Sequence, residues 1–335
     1  MRFIGWVLLV VGLLLLASCD GSLSTDAPAE AELPIKAMAL APNSETVNMS
    51  FGLSSQGSSA RLPNLNNTDG KRVAFEYQFS NGEKINYIVQ NGTVASGDML
   101  LSDYDTLVND IQEYEATLAA SEGDLSAQAA LAKPYCIKKF VFCLNYGGYK
   151  WPDGIVTYEM PPTTQFNSTE WKLIKSVMDE ISANTKIRFK TGTSGDRIRF
   201  RSDKDGCSSW VGREGGVQVV SLSRADNCIQ SAVIRHEIGH ALGFIHEHQR
   251  FDRDNYVTIN YNNIASGQKD NFQIFNHTLG IVSGYDFNSI MHYSGSTFRK
   301  APGLYTMVKK SNGQPPSYIY NYSSTDLEYL RRYYP

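Results

Sequence analysis

The chain has six histidines, and three of them fall in one short run. It reads His236-Glu237-Ile238-Gly239-His240-Ala241-Leu242-Gly243-Phe244-Ile245-His246-Glu247. On a helix, residues four apart differ by about 40° around the axis, so His236 and His240 share a face. Two imidazoles on one face can hold one zinc ion, and Glu237 beside them is placed to take a proton from an attacking water. A helix continued to His246 would carry that side chain away from this face. Gly243 resolves the difficulty, because glycine adopts the left-handed backbone that ends a helix and turns the chain back. His246 then completes a set of three neutral imidazoles with one position left open, which leaves zinc a strong Lewis acid. The expected cofactor is one zinc ion per chain.

Downstream lies Ser289-Ile290-Met291-His292-Tyr293. A methionine in a tight turn beneath three histidines is the second mark of the metzincins, and Met291 is the candidate for that turn. Tyr293 can bring a phenol to the metal or to a developing oxyanion. His248, His277 and His292 have no ligand spacing and are read as surface or supporting residues.

The stretch His236–Asn260, HEIGHALGFIHEHQRFDRDNYVTIN, together with SIMHY at 289–293, resembles the astacin family of zinc endopeptidases. Glu247, directly after the third histidine, separates astacins from other metzincins. The resemblance covers Tyr149–Pro335 and includes YKWPDG at 149–154, GCSSWVG at 206–212 and the closing Asp326, Leu330 and Tyr333. It implies an α/β (α+β) zincin-like fold with a twisted sheet, two long helices and two subdomains flanking a cleft. It implies His236, His240 and His246 as zinc ligands, Glu237 as general base and then acid, and Tyr293 as a mobile fifth ligand that stabilises the tetrahedral intermediate. It also implies a buried Glu247 that meets, through water, an amine freed by maturation; trimming within Lys138–Gly148 would supply one. Substrates would be proteins or peptides, with an acidic residue after the scissile bond, although no residue here is identified as imposing that preference. One family disulfide is missing with both partners: Lys186 stands at its first position and the C-terminal end has no cysteine. Cys207–Cys228 matches the bond that remains.

Several elements must position these residues. Ile155–Met160 reads as a strand closed by Pro161-Pro162. Asn167, with Glu170 three residues on, caps a helix whose apolar stripe is Trp171, Ile174, Val177, Met178 and Ile181. Lys186–Lys190, Arg197–Arg201 and Val217–Leu222 are short strands. Upstream, Val73–Phe79 and Lys84–Val94 alternate as strands do, with turns at Asn81-Gly82 and Asn91-Gly92. Ser102–Leu131 reads as helical, with Leu107, Ile111, Tyr114 and Leu118 at helical spacing, and Pro134 ends it. Residues 61–148 therefore form a small α+β, propeptide-like region before a catalytic domain at 149–335.

The chain opens with Met1-Arg2 and an apolar run to Ala17, too short for a comfortable membrane span. It ends Leu16-Ala17-Ser18-Cys19, which resembles the lipobox of bacterial lipoproteins, so residues 1–18 read as a signal and Cys19 as the lipidated residue. Such a protein is exported and held by lipid at a membrane of the cell envelope. Residues 19–60, rich in Ser, Ala, Pro, Asn and Thr, read as a flexible tether. Of five cysteines, removal of Cys19 leaves Cys136, Cys143, Cys207 and Cys228, an even set suited to an oxidising compartment. Proximity favours Cys136–Cys143 and Cys207–Cys228, with the other connectivities open. Lys and Arg total 31 against 34 Asp and Glu, a net charge of −3, which gives no reason to expect a nucleic-acid partner.

The propeptide-like region carries its own candidate for latency. Ala95-Ser96-Gly97-Asp98 resembles the astacin segment Phe-x-Gly-Asp, whose aspartate takes the place of the catalytic water, with Ala95 where phenylalanine is usual. Gly97 lets the backbone approach a metal closely, and the rivals are a solvated turn at Gly97-Asp98 or a thiolate from Cys136 or Cys143. The alternative to a zinc endopeptidase is a catalytically silent zinc-containing surface binding protein, which an intact Glu237 and Tyr293 disfavour.

Overall fold

The computed structural model describes residues 46–52, 62–69, 71–79, 84–105, 107–109, 111–112, 115, 150–204, 206–274 and 284–335. All of these lie in one compact unit, Pro34–Pro335. The expectations for residues 1–18, Cys19, the Asn81-Gly82 turn, Cys136, Cys143, the trimming segment 138–148 and His277 lie outside the described residues.

Ten strands form one sheet. In chain order they are β1 (Thr46–Gly52), β2 (Arg72–Gln78), β3 (Lys84–Gln90), β4 (Thr93–Ser96), β5 (Met99–Asp103), β6 (Ile155–Tyr158), β7 (Arg188–Thr191), β8 (Arg197–Arg201), β9 (Cys207–Trp210) and β10 (Val217–Leu222). Across the sheet the order is β1-β2-β3-β4-β5-β9-β10-β8-β6-β7. Strands β2 to β5 run antiparallel to one another, β5 lies parallel to β9, and β10, β8, β6 and β7 are parallel neighbours. A second sheet pairs β11 (Val257–Ile259) with β12 (Met307–Lys309).

Two helices cover the β6–β10 part. Helix α1 (Ser168–Asn184) starts from the Asn167–Glu170 capping box read in the sequence. Its Ile174, Val177, Met178 and Ile181 share one buried cluster with Val156, Ile198, Phe200, Val220 and Leu222 of the sheet and with Ile234 and Ile238 of helix α2 (Ser231–Ala241). Alternation explains the sheet side: Ile198 and Phe200 of β8 point in while Arg197, Arg199 and Arg201 point away. The short helix α3 (Ser324–Tyr333) returns Leu330 and Tyr333 to the same core. A separate cluster of Val73, Phe75, Val89, Val94, Met99, Leu101, Leu107 and Ile111 holds β2–β5 and the helical residues after Tyr104 together.

Two expectations need correction. The stretch read as a tether contains β1, whose seven residues pair in parallel with β2; the alternation of Val47, Met49 and Phe51 suits a strand and outweighs the polar composition around it. Met99–Asp103, read partly as helix, is a strand because its main chain pairs with β4 and β9, and helix begins at Tyr104. The sheet does not break between the regions 61–148 and 149–335 read in the sequence: the β5–β9 pairing makes it continuous across both. Strand β9 has no counterpart in the sequence reading, since Cys-Ser-Ser-Trp has weak strand propensity and is set by pairing on both sides.

Helix α2 ends as Gly243 requires. The Gly243 N–H donates to His240 O at 2.8 Å and the Phe244 N–H to Gly239 O at 3.1 Å, the paired bonds of a Schellman ending. Gly243 has φ +106°, and a Cβ there would stand 3.1 Å from the Tyr333 ring. Replacing it by alanine forces an L-residue into this backbone, at a cost of about 1–2 kcal/mol. Gly243→Ala is expected to lower the thermal midpoint by several degrees, and calorimetry on the full chain measures it; an unchanged midpoint would show that the turn tolerates a side chain.

Candidate active site

The turn after Gly243 does what its sequence position suggested. It brings His246 back to His236 and His240, so that Nε2 of His236 lies 3.2 Å from Nε2 of His246 and 3.1 Å from Nε2 of His240. All three residues are buried.

The far side of each ring fixes its tautomer. Nδ1 of His236 is 2.9 Å from Ile290 O, Nδ1 of His240 is 2.8 Å from Phe244 O, and Nδ1 of His246 is 2.7 Å from Gln249 Oε1. Those oxygens only accept, so each Nδ1 carries the proton and donates. The three Nε2 atoms are then lone-pair acceptors and cannot bond to one another. Burial reinforces this for His240, whose imidazole is lowered to about 4, mainly by desolvation.

A fourth acceptor joins them. Asp98, fully buried, sets its carboxylate 2.8 Å from His246 Nε2, 3.2 Å from His236 Nε2 and 3.6 Å from His240 Nε2. Neither carboxylate oxygen has a hydrogen-bond donor. The four ligand-type atoms lie within 4.8 Å of one another. Four buried acceptors without a proton among them call for a cation. Tetrahedral zinc with nitrogen ligands places donor atoms about 3.3 Å apart, close to the observed spacing, and each imidazole already has the outer partner that metal-bound histidines use. The donor set therefore fits zinc.

Asp98 reaches this point from the tip of the β4–β5 hairpin. Ser96 pairs with Met99, so Gly97-Asp98 is a two-residue turn, with positive φ at Gly97 only, as in a type II′ turn. A Cβ on Gly97 would lie 2.9 Å from Tyr293 Oη. The tip is held from two sides: the Ser209 N–H donates to Asp98 O at 3.1 Å, and Gln249 Nε2 donates to Ser96 Oγ at 3.0 Å.

Glu237 is also fully buried, and neither of its oxygens has a partner. Burial first, and the charge of Asp98 second, push its carboxyl well above the usual range. The Tyr293 ring stacks on His248, centroids 4.1 Å apart, and lies 4.6 Å from the ring of His246; its hydroxyl is buried and without a partner. Met291 packs under the site, its Sδ 2.9 Å from where a Cβ on Gly239 would stand.

Around the site, Glu247 is less buried than the resemblance implies, while the Cys207–Cys228 bond is the one the sequence favours. Glu247 keeps a side-chain exposure of 17%, and its Oε1 accepts from Arg250 Nη1 at 2.7 Å and from the Asp286 N–H at 2.8 Å. Its carboxyl is raised to about 7, with burial the main cause. His248 and His292 are buried and not at the surface; His248 Nε2 donates to Asn271 O at 3.0 Å. Cys207 and Cys228 form a disulfide, with Cα atoms 5.6 Å apart.

Three residues have roles that the sequence does not announce. Gln249 spans His246 and Ser96, and only the structure shows that its amide uses both ends. Ser96 carries no signal of its own beyond its place in the hairpin. Asp326, buried, accepts from Ser289 Oγ at 2.7 Å and from the Ile290 N–H and the Ser323 N–H at 2.9 Å each. It thereby caps α3 and ties down the turn whose Ile290 carbonyl orients His236. A Ser-x-x-Asp pair at 323–326 is a capping signal visible in the sequence; its second use is not.

Comparison with known proteins agrees with this geometry. A zinc metalloproteinase of Caenorhabditis elegans, nas-15, is 39% identical over 167 residues, covering 49% of this chain and 28% of that protein. An astacin-like metalloendopeptidase of Gallus gallus is 38% identical over 176 residues, covering 51% of this chain and 42% of its own length. The chain thus spans less than half the length of these relatives. Among solved structures, high choriolytic enzyme 1, a hatching enzyme zinc-protease from Oryzias latipes, matches with a TM-score of 0.51 and 34% identity, over 55% of this chain and 92% of that one. The model of the astacin peptidase family matches residues 144–335. That span contains the three histidines, Glu237 and the Met291 turn but stops short of Asp98, and over it the chain belongs to the astacin family.

Proposed function

We propose that this chain is a zinc-dependent endopeptidase held latent by its own N-terminal region. The observation that carries the reading is the set of three buried Nε2 acceptors beside an unpartnered, buried Glu237 carboxylate. Zinc bound to His236, His240 and His246 supplies Lewis acidity toward a peptide carbonyl and a water. Glu237 takes the proton of the attacking water and passes it to the leaving amine. The Tyr293 hydroxyl, which has no other partner, donates a hydrogen bond to the oxyanion. Met291 and the turn around it support the ligands from below. The rival reading, a silent zinc-containing binding protein, leaves two buried polar groups at Glu237 and Tyr293 with nothing to do.

Latency follows from Asp98. Its carboxylate fills the position beside the three imidazoles where a water would have to enter. The hairpin that carries it also occupies the edge of β9, with the Ser209 and Val211 N–H groups donating to Asp98 O and Leu100 O. A substrate strand would need that edge. Removal of residues up to the 138–148 segment would free both, and the new amine would meet Glu247. Residues 61–148 are then a propeptide and 149–335 the protease domain. The Leu16-Ala17-Ser18-Cys19 run supports lipid attachment at Cys19 after loss of residues 1–18, and so an exported protein anchored at a membrane of the cell envelope. Among the described residues no helix is long and apolar enough to cross a membrane.

Three measurements test this. Glu237→Ala should keep its zinc, by metal analysis, while cleavage of a denatured protein falls by about 10²–10⁴-fold; undiminished cleavage removes the general-base assignment. Asp98→Ala should make the full-length precursor active or cause early self-processing, with little effect of reducing agents. If it stays latent while Cys136→Ser or Cys143→Ser is active, a thiolate is the latch instead. Cys19→Ala should release the protein from the membrane fraction or leave its precursor uncut, and a processed variant that still sediments with membranes would end the lipoprotein reading.

A further inference from the structure

Arg72, the first residue of β2, is only 2% exposed. A guanidinium carries five N–H donors and is always charged, so its burial is costly unless the charge is met. Its Nη1 donates to Gly267 O at 3.1 Å, across 195 residues of sequence. Its Nε is buried and has no acceptor. The charge it faces is that of Asp270, which is half-buried. Burial lowers the Arg72 guanidinium from its usual value and Asp270 opposes this; burial raises the Asp270 carboxyl and Arg72 opposes that. Asp270 Oδ1 also accepts from Gln273 Nε2 at 3.2 Å, and the neighbouring Lys269 is exposed. The segment that receives Arg72 is fixed to the protease domain. The Ala265 N–H donates to Phe298 O at 2.8 Å, Tyr261 Oη to Phe272 O at 3.3 Å and His248 Nε2 to Asn271 O at 3.0 Å. Strand β3 packs against Lys269–Phe272. The N-terminal region thus meets the protease domain at two separate segments, this turn and β9.

We infer that Arg72 is a second latch besides Asp98: seated on Gly267 O beside Asp270, it anchors the N-terminal region to the 265–272 turn and so keeps the β4–β5 hairpin in the site. The inference rests on the latency reading and deepens it. Asp98 meets the histidines through one side chain, whereas Arg72 ties down the sheet from which the hairpin projects. Strand β2 pairs with β3, and β3 with β4. A hairpin leaving the site must break these pairs or carry β2 with it, and carrying β2 takes Arg72 off Gly267. The anchor is also selective. A closed arrangement in which either charge lacks the other keeps an uncompensated ion out of water, which is strongly unfavourable.

The test uses the full chain, zinc-loaded and uncut. Amide hydrogen exchange over residues 93–103, measured with Glu237→Ala present so that the chain cannot process itself, reads opening of the hairpin. Cleavage of an internally quenched peptide, measured without that change, reads access to the site. Asp270→Asn alters only the protease domain and leaves the sheet of the N-terminal region intact; Arg72→Met removes the cation from the other side. Each should raise both rates by about 10- to 100-fold, the range of a lost hydrogen bond to a charged group. The double variant should open less than the two factors multiplied, because neither group is then buried without its partner. If Arg72→Met loosens all of β2 and β3, the Asp270→Asn result decides. Exchange unchanged from the parent in Asp270→Asn, or single factors that multiply in full in the double variant, overturns the anchor and leaves Asp98 as the latch. Faster exchange with no gain in cleavage overturns the latency reading and the anchor's role with it.

Discussion

The Nε2 atoms of His240 and His246 stand 3.1 and 3.2 Å from that of His236, with no proton to share. That arrangement opposes itself unless a cation sits among them, and the protein enforces it from outside. Each ring is pinned by its other nitrogen to an oxygen from a different segment: the Met291 turn, the chain just past α2, and Gln249. Metal binding and folding are therefore linked, since the ion relieves a repulsion that the rest of the fold creates. It also explains why so little of the C-terminal third is regular structure. Its task is to deliver single carbonyls and side chains to fixed points, which short turns do better than long strands.

Asp326 shows how far this reaches. A buried carboxylate in the first turn of α3 accepts hydrogen bonds from Ser289 and Ile290, and Ile290's carbonyl in turn orients His236. Loss of one partner in such a chain leaves the others unsatisfied in a dry interior, so its members act together. A residue near the C-terminus thus helps to aim a ligand on a distant helix, and it acts through a backbone oxygen.

What was legible in the sequence was what periodicity and glycine control. The 236–246 spacing placed two ligands on one helical face, and Gly243 predicted the return of the third; both depend on local geometry alone. The Asn167 cap and the strand at Arg197–Arg201 were legible for the same reason. Pairing partners were not. Cys207–Trp210 and Met99–Asp103 are strands because each lies beside the other and beside β10 or β4, and no local signal carries that. The role of Asp98 was suggested by the Gly97-Asp98 resemblance, but its place beside the histidines depends on a hairpin register and on a parallel pairing with a strand far along the chain. Gln249 was invisible because an amide that bonds in two directions looks like any other polar residue.

Gln249 also connects the two halves of the molecule. Its oxygen holds the ring of His246 and its nitrogen donates to Ser96, one residue before the Gly97-Asp98 tip. The hairpin therefore does more than insert a carboxylate: it completes the hydrogen bonding of a residue that orients a ligand. The insertion in turn depends on Gly97, where any side chain would meet the Tyr293 hydroxyl. Withdrawal of the hairpin would leave the Gln249 amide nitrogen and the Ser209 and Val211 N–H groups without their acceptors. Each uncompensated buried donor costs about 1–3 kcal/mol. Were the hairpin withdrawn, water or a peptide would have to take the positions it vacates. The hairpin's contacts are in this sense a map of the donors that any replacement chain would meet there.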